Sequence, residues 1–214
     1  MAIPDLRTDV MDFCGYSHEA TPLRLNQRQE LSTQADGTTH GKDFGPALWL
    51  GDFVTEPLPH NRAAEFQAIM ESLDGVIGRF EAGDLRKPFP AAYPSGAFAD
   101  TAKINSVIDP VTMTLKDLPV GFTLTRGDHF AFDYTFAGFA MRALHRVMNT
   151  VTANGAGVTP AFGVRPYLRA GYALNAPVTL KRPMGVFRLL PGSLAPSMKN
   201  STLTVYSFKA VQDL

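Results

Sequence analysis

The chain has 214 residues, 45% apolar and 19% charged, with 20 basic and 20 acidic side chains and a formal net charge of +0. A neutral chain without a basic block excludes electrostatic capture of nucleic acid or an anionic membrane, and no apolar run approaches the roughly 20 residues of a membrane span. Cys14 is the only cysteine, which excludes an intrachain disulfide, and a start carrying Asp5, Arg7, Asp9 and Asp12 is too polar for a secretory signal, so synthesis in the cytosol is expected.

Residues 1–20 show no period and read as an N-terminal arm, anchored by Ile3, Leu6 and Phe13. Leu23 to Ser32 reads as one extended strand that is polar on both faces, with Arg24, Asn26, Arg28 and Glu30 alternating against Gln27 and Gln29. A solvated edge strand accounts for that pattern, and so does a strand facing a wet lumen or a partner. Asp36-Gly37 is a hairpin turn signal, with Phe44 to Val54 as the return strand. Trp49, Gly51 and Phe53 share one face of it, and Leu48, Leu50 and Val54 the other. A strand apolar on both faces needs cover on both.

A Pro-Leu-Pro corner then leads into the clearest helix, about residues 61–74. Phe66, Ile69, Met70 and Leu73 fall at i, i+3, i+4 and i+7, which makes one apolar stripe. Asn61 reads as its N-cap, Glu65 suits the positive end of the dipole, and Asp74-Gly75 is the stop. So short a helix needs packing to persist.

Val76 to Phe80 returns extended, and the proline-rich Arg86 to Ala99 is a connector. It divides the chain into a β-rich half over 21–100, carrying the helix, and a second β-rich half over 101–214. The two halves also fit one continuous domain. In the second half Thr101 to Leu115 alternates, and Asp117 to Gly121 turns. Beyond Arg126-Gly127-Asp128 a strand puts Phe130, Phe132, Tyr134 and Phe136 on one face and His129, Ala131, Asp133 and Thr135 on the other, the latter read as solvated. Ala143 to Ala153 fits a helical stripe too, but its Val and Thr content and the Asn154-Gly155 turn favour strand. Phe162 to Leu168, Val178 to Lys181, Val186 to Leu190 and Leu203 to Phe208 complete a series of short strands at roughly ten-residue intervals. The expected fold is mainly β, a sandwich or barrel with one amphipathic helix.

Motifs that carry chemistry do not assemble. The sequence has no G-x-S-x-G elbow, P-loop, G-x-G-x-x-G after a strand, or H-E-x-x-H. Cys14 with His18 is a lone Cys-x-x-x-His pair where a metal site wants three or four ligands. His145 reads as a surface or hydrogen-bonded core residue, and Arg126-Gly127-Asp128 as a turn rather than an adhesion tripeptide. No enzyme, metal or cofactor is expected.

The order of motifs does carry a resemblance. The Asp36-Gly37 turn, Pro46-Ala47-Leu48-Trp49, the helix, and Ser72-Leu73-Asp74-Gly75 leading to Phe80 come first. Leu118-Pro119-Val120-Gly121-Phe122, Gly127-Asp128-His129-Phe130, Leu144-His145-Arg146-Val147, Ala153-Asn154-Gly155-Ala156-Gly157, Pro166-Tyr167-Leu168-Arg169 and Arg188-Leu189 follow. Over about residues 22–210 this resembles the distal tail (Dit-like) proteins of long-tailed bacteriophages and gene-transfer particles.

The resemblance implies a β-sandwich with one belt helix that closes into a six-fold ring, joins the tail tube protein to the tip hub or baseplate, and carries no catalytic residues. It implies residence in the virion, at the distal end of the tail. Larger members of the family add a carbohydrate-binding domain, for which this chain is too short. Trp49, Phe66, Ile69 and Met70 are the expected self-association residues, because a doubly apolar strand and a short helix both want a neighbour. The alternatives are a stand-alone β-sandwich module for carbohydrate, with Phe130, Phe132 and Tyr134 as presented aromatics, another tail ring component such as a tube terminator, and a tail-associated hydrolase using Cys14 or His145.

Overall fold

The computed structural model describes residues 6–14 and 23–213. The chain enters through β1 (Leu6–Arg7), a 3-10 turn over Val10–Phe13, and β2 (Leu23–Asn26). The hairpin β3 (Gln29–Thr33) and β4 (Thr39–Asp43) leads to β5 (Leu48–Val54), β6 (Leu58–Pro59), helix α1 (His60–Glu71) and β7 (Arg79–Ala82). The middle of the chain holds β8 (Lys103–Asp109), β9 (Thr112–Lys116), β10 (Thr123–Leu124), β11 (His129–Phe136), β12 (Phe139–Val147), β13 (Val151–Thr152), β14 (Phe162–Arg165) and β15 (Val178–Thr179). β16 (Gly185–Leu189), β17 (Ala195–Asn200) and β18 (Leu203–Gln212) close it. The fold is mainly β, two curved sheets packed as a sandwich with one α-helix among the described residues.

The first sheet runs β1-β7-β16-β18-β5-β2, with β6 and β17 also paired to β18. The second runs β15-β11-β12-β14-β9-β8 and curls around its own core. The expected division into 21–100 and 101–214 does not match this arrangement. After β15 the chain returns to the first sheet, where β18 lies between β16 and β5, with Phe208 opposite Phe53 and Leu189 opposite Ala210. The first layer is thus built from both ends of the chain. Alternation is local and cannot say which sheet a strand joins, which is why the sequence suggested a single cut.

Two cores result. The first gathers Trp49, Phe53, Phe80, Phe187 and Phe208 under α1 and the 3-10 turn, and the second gathers Ile104, Met113, Leu115, Phe122, Phe130 and Phe162. The β11–β12 hairpin serves both. Phe130, Phe132, Met141 and Ala143 point into the second core, while Ala131 and Leu144 point into the first. The face expected to be solvated is therefore the layer boundary: His129 and Ala131 are buried, and only Asp133 and Thr135 reach solvent.

α1 keeps the expected stripe, Phe66, Ile69 and Met70, but its start is one residue earlier and its capping differs. Extended Pro59 precedes it (φ −65°, ψ 159°) and Asn61 is already helical, so no side chain caps the first turn. The helix ends at Glu71, where the Ser72 N–H reaches Ala68 O, and Asp74 and Gly75 take φ of 48° and 67°. Val76 and Ile77 lie in the turn rather than in a strand, and the Arg188 guanidinium donates to both of their carbonyls at 2.8 Å.

Other boundaries shift where turns were missed. The single strand expected over 23–32 is two: β2, with Leu23 buried, and the exposed β3. Thr101 to Leu115 is likewise a hairpin, turned at Pro110, with the Val111 N–H on Asp109 Oδ1 at 2.8 Å. Ala143 to Ala153 is strand, as β12 and β13.

Candidate functional site

The four residues expected at a subunit seam lie inside the chain's own core. Trp49 is 0% exposed and Ile69 9%, and Phe66 and Met70 are equally buried. Trp49 projects from β5 toward the second sheet, where its Nε1–H donates to Leu144 O at 2.8 Å. The Arg146 guanidinium lies 4.7 Å from the centre of its ring, and His129 meets it edge-on at 5.7 Å. Phe66 packs among Phe13, Tyr206 and Phe208 at 5.5, 5.0 and 5.9 Å. The neighbour that the Trp49 strand and the helix lacked in sequence is supplied by β12, β18 and the 3-10 turn of the same chain. This corrects the assignment of these side chains to a contact between copies.

Apolar cover on the other face of β5 is thinner. Leu48, Leu50 and Val54 are half-buried, and Arg24 and Val211 flank Leu50 on the neighbouring strands. The face is partly open to solvent.

The residues weighed for chemistry are held in structural roles. Cys14 is buried, its Sγ directed at Val10 O at 3.7 Å, and burial, with Glu56 adding to it, pushes the thiol up to about 12. A thiol so hard to ionise is a poor nucleophile. Its suggested partner, His18, lies outside the described residues. Asp128 is fully buried, with Oδ1 accepting from Ala91 N–H at 3.0 Å and pairing with Lys87 Nζ at 2.9 Å. Its Oδ2 accepts from Thr125 N–H at 2.7 Å. Asp128 therefore ties the proline-rich connector to the start of β11, and a carboxylate so enclosed cannot serve as an adhesion group. Asp133 is exposed and pairs with Arg142, which also reaches Glu81 on β7 and so clamps the two layers.

Both buried histidines are neutral at ordinary pH. Burial chiefly, then the charges of Arg146 and Lys87, lowers His129 to about 3. Arg146 Nε donates to its Nε2 at 3.1 Å. Burial lowers His145 to about 4 against a raising contribution from its bond to Pro166 O. Among the described residues no three His, Cys, Asp or Glu side chains are grouped as a metal would need.

What sequence reading missed is the polar content of the interior. Thr55, Gln212, His129 and His145 are all buried. The available signal was a polar residue at a strand position whose neighbours at i±2 are apolar, as His145 is between Ala143 and Val147.

One element has no cover. All ten residues of the β3–β4 hairpin are exposed, and Leu31 is 72% exposed. Its turn is well formed: Asp36 Oδ1 accepts from Thr38 N–H at 2.8 Å and Gly37 takes φ 85°. No protein-family model and no curated protein matches the chain.

Proposed function

We propose that the chain is a structural ring component of a bacteriophage-type tail, placed at the distal end of the tail tube in the virion and joining the tube protein to the tip hub or baseplate. The observation that carries this reading is the uncovered β3–β4 hairpin on an otherwise well-packed sandwich. A lone two-stranded ribbon is marginal in water and gains stability when a third strand or a packed surface joins it. A neighbouring copy supplies that cover in a closed ring, through a heterologous contact repeated around the symmetry axis. The single helix on a β-sandwich and the order of motifs along the chain agree with the same reading. The buried positions of Trp49, Phe66, Ile69 and Met70 move the seam away from those side chains and onto the hairpin and the half-open β5 face.

Electron microscopy of the purified protein, with light scattering on the same gel-filtration fractions, tests it. The expected result is a closed ring with a central hole. Protein that stays monomeric at high concentration and is absent from purified particles overturns it.

A further inference from the structure

The ladder that joins β2 to β5 ends at Asn26 opposite Leu48, and the β3–β4 ladder begins at Gln29 opposite Asp43. Two residues on one strand therefore face four on the other, an enlarged bulge that bends the ribbon from its sheet. A cleft of about 290 Å³ lies there, between Gln27, Asp43 and Gly45 on one side and Arg165, Pro166 and Tyr167 on the other. Behind it, sharing Pro46, Ala47, Pro166 and Tyr167 as walls, is an inner chamber of about 10 Å³. That is space for about one water molecule or one hydroxyl group.

Three polar side chains line the chamber, and each is more than nine-tenths buried: His145 at 2%, Gln212 at 3% and Tyr134 at 5% exposure. Each has an atom without a hydrogen-bond partner, namely His145 Nε2, Gln212 Nε2 and the Tyr134 hydroxyl. An unpaired buried polar atom costs about 1–3 kcal/mol, so three lining one chamber call for a group that satisfies them.

Their chemistry specifies that group. His145 Nδ1 donates to Pro166 O at 2.9 Å, so Nε2 is left as a bare acceptor in the neutral ring. Gln212 already uses its oxygen to accept from Trp49 N–H at 3.4 Å, which leaves its amide hydrogens to donate. A hydroxyl both donates and accepts, and it answers both atoms. An anion meets the lone pair of His145 inside and the Asp43 carboxylate outside, and an alkyl group leaves every polar atom unpaired. The outer cleft adds the half-exposed Tyr167 ring, with the Arg165 guanidinium 5.1 Å from its centre. An aromatic wall beside a few convergent polar groups is a common form of small-ligand site.

We propose that this cleft binds an uncharged, hydroxyl-rich ligand the size of one sugar ring, seated against Tyr167 with one hydroxyl in the inner chamber. The site uses residues of one chain and stands apart from ring assembly, so either reading can fail alone.

Saturation-transfer NMR on the full chain tests it, with glucose, galactose, mannose and N-acetylglucosamine against glucuronate and glucose 6-phosphate. Saturable binding of at least one neutral sugar, in preference to the charged ones, is expected. Tyr134→Phe removes only a hydroxyl that has no partner in the protein, so the thermal midpoint holds or rises while affinity falls roughly two- to tenfold. Tyr167→Ala alters a half-exposed wall and weakens binding at least as much with the fold intact. No saturable binding by any neutral sugar, preference for the charged ones, or affinity unchanged in both variants overturns the proposal.

Discussion

Two hairpins of this chain are built from the same kind of ladder and meet opposite fates. In β11–β12 eight residue pairs align from His129↔Arg146 to Phe136↔Phe139, and the root of the ribbon is covered on both faces, by the second core on one side and by Trp49 and the first sheet on the other. In β3–β4 five pairs align from Gln29↔Asp43 to Thr33↔Thr39, and neither face is covered. Backbone pairing alone does not distinguish them. The difference lies in the side chains: β11 and β12 alternate aromatic residues with Ala and Leu, whereas β3 and β4 carry Gln, Glu, Thr, His, Lys and Asp. A ladder organises the chain, and burial decides what it stabilises. The covered hairpin holds the two layers together, and the uncovered one is available to something outside the chain.

The strongest way to break this comparison is to attack the covered side. Ile69→Asp places a carboxylate in the core under α1, where no partner awaits it, and the whole chain is expected to unfold rather than release a folded monomer. Circular dichroism on gel-filtration fractions reads the outcome. A folded, soluble Ile69→Asp protein that merely loses self-association restores the helix to the seam.

Trp49→Ala comes next. It removes the side chain that spans both layers together with its 2.8 Å bond to Leu144 O, and a loss of about 3–5 kcal/mol is expected in chemical denaturation. As the only tryptophan it also reports directly. Its native emission should be blue-shifted and resistant to soluble quenchers; red-shifted, freely quenched emission contradicts the layer boundary described above.

A third measurement sharpens the boundary through pH. The ordinary histidine value is 6.5, and the folded values of His129 and His145 are lowered to about 3 and about 4. Below about pH 6.5 the unfolded chain takes up protons that the folded chain refuses, so the unfolded state gains. Stability from these two groups is fully present above pH 6.5 and falls as the pH drops toward 4, with His129 still contributing to the slope down to about 3. Denaturation midpoints across pH 3.5–7 should show this limb, and His129→Gln with His145→Gln should flatten it. A slope unchanged in the double variant assigns the limb to carboxylates instead.

The same boundary explains what sequence reading reached. Local signals were legible: the helix stripe from Phe66 to Leu73, the Asp36-Gly37 turn and the aromatic face of β11 all follow from spacing within one element. The role of the opposite face was not, because His129 and Asp133 look alike in alternation and only the packing of Trp49 against β12 separates a buried histidine from an exposed carboxylate. The return of β16–β18 to the first sheet was hidden for a related reason, since strand pairing across more than 150 residues, as between Phe53 and Phe208, leaves no local trace. The chamber lined by Tyr134, His145 and Gln212 joins three strands and was hidden in the same way.

The smallest effect on stability is expected from the largest change in sequence. Replacing residues 29–43 with a short Gly-Ser turn removes the entire exposed hairpin, whose ten strand residues add nothing to either core. Loss of uncovered surface away from caps and cores shifts stability by about 0.5 kcal/mol or less, so the denaturation midpoint should hardly move. Arg28 is the one connection at the base, through Phe44 N–H to its carbonyl at 2.8 Å, and keeping Arg28 and Phe44 on either side of the new turn preserves it. The same deletion should abolish assembly if the hairpin is the arm that reaches a neighbouring copy, so light scattering should find a stable monomer where the full chain forms a ring. Stability unchanged with assembly lost separates the two hairpins in function as well as in packing. A truncated chain that still closes into rings assigns the seam to the half-open face of β5 and leaves the exposed ribbon free for a different tail protein.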